Sequence, residues 1–70
     1  MKLEFQDFDR MQYLLGKAKV QGLAGSEEEE LRKYIAIEEP SAQNISIDDL
    51  IKLGLFLVGL YLLAKVLENE

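Results

Sequence analysis

The 70-residue chain has no cysteine, no histidine and a single proline, and its 8 basic residues face 13 acidic ones. Each shortage closes off some chemistry. Without cysteine there are no disulfides, thiolate metal ligands or thiol nucleophiles. Without histidine the usual proton acceptor near neutral pH is gone, and so is the commonest transition-metal ligand. A net charge of -5 argues against a nucleic-acid partner, because phosphates are met by basic patches. No glycine-rich phosphate loop is present, and Ser26, Ser41 and Ser46 fall at expected helix caps or in a loop. The chain therefore reads as non-enzymatic, with no catalytic residues, cofactor or metal.

The charge is also unevenly placed. Residues 1–49 carry six basic side chains against eleven carboxylates, whereas residues 50–70 are neutral, with Lys52 and Lys65 against Glu68 and Glu70. Within that neutral tail, the twelve residues from Leu53 to Ala64 include no charge. At about 100° per residue they circle a helix more than three times, so that stretch of helix has no polar side. A helix apolar all round belongs in lipid or inside a larger core, and 70 residues supply little core.

Three helices are predicted. In the first, Phe8, Met11, Leu15 and Ala18 recur at spacings of three and four, with Leu14 widening the stripe. Asp7 is its expected N-cap and Gly22 its glycine stop. Gly16 weakens the pattern by about 1 kcal/mol and leaves room for a neighbouring helix to approach. The second helix is expected to open on a capping box of Ser26 and Glu29, inside the acidic run Glu27–Glu30 that suits a helix N-terminus. Its narrow apolar face is Leu31, Tyr34 and Ile35, and Pro40 ends it near Ile37 or Glu38. Together these form a hairpin joined through Gly22–Gly25, packed through Phe8, Met11, Leu15, Leu31, Tyr34 and Ile35, and too small to stand without a partner.

Pro40–Ile45 reads as a short loop, and Ser46 as the cap of a third helix running to Leu67. Its 21 residues span about 31 Å, close to the roughly 30 Å hydrocarbon core of a bilayer. Between Leu50 and Leu67 stand eight Leu, one Ile, one Phe and two Val, worth about -6 kcal/mol at roughly -0.5 kcal/mol each on an insertion scale. Lys52 and Lys65 sit near the ends, where their stems can reach back to the surface.

Several motifs fail on spacing. Gly54, Gly59 and Ala64 are five apart, about 140° on a helix, so they make no small-residue seam. Asp7-Phe8-Asp9 opens like a calcium loop, but the sixth and twelfth positions hold Gln12 and Ala18 instead of Gly and Glu. Asn44-Ile45-Ser46 matches a glycosylation sequon, which Ser46 as a cap explains better. Lys17 and Lys19 lie about 200° apart and read as solvated charge. Tyr61 reads as a packing residue.

The sequence thus predicts an all-α protein with two units: an acidic helical hairpin with its loop over 1–45, and an apolar helix over 46–70 that spans or lies within a membrane. Leu53, Leu55, Phe56, Leu57, Val58, Leu60, Leu62 and Leu63 are the expected contacts with lipid or with other subunits. The expected role is that of a structural or accessory protein in a larger complex or a membrane-containing particle such as a virion. The competing class is a soluble module, cytoplasmic or inside a viral particle, that forms homo- or hetero-oligomers through the third helix. A pore-forming toxin is disfavoured because the apolar run offers no polar lumen beyond Tyr61. The start Met-Lys-Leu-Glu-Phe-Gln-Asp-Phe-Asp has no apolar signal core, so the hairpin is expected to stay cytoplasmic.

Overall fold

The computed structural model describes residues 2–68; Asn69 and Glu70, the end of the expected C-terminal unit, lie outside the described residues. Among the described residues the fold is all-helical: α1 (Phe5–Val20), α2 (Gly25–Glu38), a 3₁₀ turn (Pro40–Asn44) and α3 (Ile47–Glu68).

Two helix starts differ from expectation in the same way. Asp7 is not the cap of α1: Glu4 holds that position, and the Asp7 carboxylate, three residues in, accepts the Glu4 N–H at 3.0 Å. At α2, Ala24 is the cap and Glu27 accepts its N–H at 3.0 Å, so Ser26 and Glu29 form no capping box. In both, the acid at the third position satisfies the cap's own amide while the dipole favours its charge. Ser46 does cap α3, its Oγ accepting the Asp49 N–H at 3.3 Å.

At the hairpin turn, Gln21 and Gly22 both donate to the Lys17 carbonyl, and Gly22 takes φ +83°, a value side chains resist. No side chain approaches Gly16, so the expected close contact there does not form. α1 and α2 run antiparallel, with Lys17 beside Glu27 and Arg10 beside Glu30. At the open end, Glu38 Oε1 accepts the N–H groups of Lys2 and of Leu3, the latter at 2.8 Å.

Pro40–Asn44 is not a free loop. Ala42 is fully buried there, and the Arg32 guanidinium donates to the carbonyls of Ala42 (2.8 Å) and Ile45 (2.7 Å). One cation thereby satisfies two carbonyls that no helix would. The turn folds back on α2, so α3 starts beside the middle of α2 and runs in the same direction, antiparallel to α1. Gly54 lies by Leu15 and Ile35, and Tyr61 by Phe8.

The core is therefore shared by both expected units. Phe8, Met11, Leu14 and Leu15 meet Leu31 and Ile35, with Ala42 and with Leu50, Leu57 and Val58 of α3 in one cluster that also takes in Leu3. The hairpin finds its covering partner within its own chain.

Candidate interaction face on the C-terminal helix

α3 has two unlike sides. Leu50, Gly54, Leu57 and Val58 are buried at spacings of three and four, with Tyr61 half-buried on the same side. At Gly54 a Cβ would stand 3.0 Å from Ile35 Cδ1 and 3.1 Å from Leu15 Cδ2, so only glycine lets the helices approach this closely without a shift. Tyr61 stacks on Phe8 with centroids 4.2 Å apart and meets Phe5 edge-on at 6.2 Å. Its hydroxyl is buried with no hydrogen-bond partner. Lys65 turns the same way, its Nζ 4.4 Å from the Phe5 ring centroid.

The opposite side is bare. Leu55, Phe56, Gly59, Leu60, Leu62, Leu63, Val66 and Leu67 are all exposed, Phe56 by 61% and Leu63 by 56%. Because Lys65 bends inward over Phe5, this side carries no charge from Leu55 to Leu67. Its large side chains leave roughly 600 Å² of contiguous apolar surface, at the top of the range for a soluble monomer. Only 22% of the most apolar stretch of α3 is buried, and the helix is long and apolar enough to cross a membrane.

The expected contact residues thus divide between the two sides. Leu55, Phe56, Leu60, Leu62 and Leu63 face outward; Leu57 and Val58 turn into the core, and Leu53 is half-buried at the border. All six expected hairpin residues lie in or against the core, with Tyr34 partly buried and its hydroxyl 3.3 Å from Glu30 Oε2. Sequence spacing did not separate the sides of α3, since both are apolar. The one available signal was small: Gly54 and Tyr61 fall on one line of the helix, and Gly59 on the other.

Among the described residues, both ion pairs lie within the hairpin. Arg10 pairs with Glu30 through two hydrogen bonds (2.6 and 3.0 Å), and Lys17 with Glu27 at 2.7 Å. Lys17 and two members of the acidic run are therefore ion-paired, not merely solvated. The Lys17 ammonium, and then the Ala24 amide, hold the Glu27 carboxyl below the usual carboxylate range; the Arg10 guanidinium does the same for Glu30. Burial, then the Glu30 charge, pushes the Tyr34 phenol up.

Among the described residues, no group of three or more acidic side chains is placed to hold a metal ion. An open cleft of about 290 Å³ beside α2 is lined by Glu29, Arg32, Lys33, Ala36, Ile37 and Gln43, and Arg32 is already committed to two backbone carbonyls. The chain matches no protein-family model, no curated protein and no solved structure.

Proposed function

We propose that this chain is a small non-enzymatic accessory protein held at a membrane by α3, serving there as a subunit of a larger complex or membrane-containing particle. The observation that carries this reading is the exposed outer side of the apolar helix α3, which is uncharged from Leu55 to Leu67. Transferring roughly 600 Å² of apolar surface from water is worth on the order of 10 kcal/mol before association costs.

The packing of the hairpin constrains how the helix meets lipid. α1 and α2 lie against α3 from Leu50 to Lys65 and carry Asp9, Lys19, Glu29 and Lys33 on exposed positions. Those charges do not enter hydrocarbon, where each costs about 2.5–3.5 kcal/mol even on the mildest scale. The folded unit therefore fits a side-on seat, with the outer side of α3 pressed into the interface and the hairpin in water. A full span requires α3 to leave the hairpin and bare its core. Either way the acidic hairpin stays on the cytoplasmic side, since moving it across would carry its nine carboxylates with it.

Flotation with vesicles tests this. The full chain should rise with zwitterionic phosphatidylcholine vesicles and bind anionic ones no better, because its net charge is -5. The double variant Phe56→Lys/Leu63→Lys should stay at the bottom of the gradient while keeping its helical spectrum. Wild-type protein remaining unbound with lipid in excess would overturn the membrane reading.

A further inference from the structure

We propose that away from lipid the outer side of α3 is covered by a second copy of this chain, in a two-fold antiparallel pair that seats Phe56 of each copy over Gly59 of the other. This goes beyond the membrane reading and does not rest on it, since the pair forms in lipid-free water.

The spacing is the first argument. Lys52, Phe56, Gly59, Leu63 and Val66 follow one another four and three residues apart, flanked by Leu55 and Leu62 on one side and Leu60 and Leu67 on the other. From Phe56 to Val66 that is the 3.5-residue repeat of a seam that meets another helix, with apolar flanks, and the exposed Lys52 stands at its N-terminal end beside Asp48 and Asp49. Shape is the second. Phe56 is 61% exposed, and a Cβ at Gly59 would meet nothing within 4 Å. A projecting ring and an empty position thus stand one turn apart on the same stripe. An isologous pair must be complementary to itself. Parallel helices would set ring against ring and gap against gap; antiparallel helices bring each ring to the other copy's gap.

Charge favours the same arrangement. Asp48 and Asp49 are exposed at the start of α3. A parallel pair would bring four carboxylates together, whereas the antiparallel pair puts each Asp49 level with Val66 of the second copy.

Sedimentation equilibrium of the full chain in detergent-free buffer should show one closed species of twice 8.0 kDa that dissociates on dilution. Gly59→Leu fills the gap from a position where a Cβ meets nothing within 4 Å, and should weaken pairing roughly tenfold to a hundredfold while helicity holds or rises. Phe56→Ala should weaken it similarly, whereas Val20→Ala, at an exposed position on α1, should not. Spin labels on Glu68→Cys, unique in a chain without cysteine, should lie roughly 30 Å apart in an antiparallel pair against roughly 10 Å in a parallel one. A wild-type monomer, an open-ended aggregate, a short label distance, or pairing indifferent to Gly59→Leu would each overturn the proposal. None of these outcomes bears on flotation, so the two readings fail separately.

Discussion

The two sides of α3 are made of nearly the same residues and do different work. The inner side is Leu, Gly, Leu, Val and Tyr; the outer is Leu, Phe, Gly, Leu, Leu, Leu, Val and Leu. Hydrophobicity does not tell them apart. What differs is fit: the inner glycine receives Leu15 and Ile35, and the inner aromatic stacks on Phe8, while a Cβ on the outer glycine would meet nothing within 4 Å and the outer aromatic is 61% exposed. Apolar character brings a helix out of water, and shape decides which surface it meets.

One substitution, leucine to lysine, should act very differently on the two sides. Leu57→Lys places an ammonium on the buried side, where it has no counter-charge and displaces core contacts. The expected loss is about 3 kcal/mol or more, enough to unfold a domain this small. Leu63→Lys, on the exposed side, should leave the thermal midpoint nearly unchanged and reduce vesicle binding instead. Thermal melts read against flotation separate the two. Equal loss of fold in both variants would mean that the sides are not distinct.

The glycines give a finer version. Gly59→Ala should stabilise α3 by about 1 kcal/mol, because alanine is the better helix former and its methyl meets open space. At Gly54 the same gain is opposed by a methyl 3.0–3.1 Å from Ile35 and Leu15. Overpacking of about 1–3 kcal/mol should leave Gly54→Ala net destabilised. Chemical denaturation of the two variants measures the difference, and a gain at both positions would show that Ile35 and Leu15 yield freely.

Much of this architecture was legible in the sequence, for identifiable reasons. The three helices follow from apolar spacing, from Gly22 and Pro40 as stops, and from Ser46 as a start. The hairpin core followed from one-sided stripes in which the polar positions are informative by contrast. α3 offered no such contrast, so its docking on Leu15 and Phe8 was hidden. The long-range bonds were hidden as well. Glu27 and Glu30 look like any acidic helix start until Lys17 and Arg10 are placed opposite them. Arg32 looks like surface charge until the Pro40–Asn44 turn folds back under it.

The ion pairs make the hairpin, but not the outer side of α3, sensitive to acid. Glu27 and Glu30 have folded-state pKa values below their ordinary range near 4.3, so the folded chain binds fewer protons than the unfolded one there. Their contribution is complete above that range and is lost as pH falls through the lowered values. Stability measured from pH 7 down to pH 3 should stay level and then decline below about 4. Glu27→Gln/Glu30→Gln should flatten that decline. The outer side holds no titratable group between Leu55 and Leu67, so self-association and lipid binding should persist down to the pH at which the fold itself gives way. Loss of either at a higher pH, with the fold intact, would tie it to the hairpin.

The smallest expected effect lies at Tyr61, the one polar group on the inner side whose buried oxygen has no partner. Stacking on Phe8 and the edge contact with Phe5 use only the ring, and phenylalanine would supply both. A buried hydroxyl that has given up its water bonds without replacement destabilises the fold, so its removal leaves no orphaned group behind. Tyr61→Phe should therefore be neutral or stabilising by up to about 1 kcal/mol in chemical denaturation. The inner-side reading requires this sign. If Tyr61→Phe destabilised the protein, the hydroxyl would have a partner in solution, and the aromatic cluster would not be the dry, shape-fitted half of α3 described above.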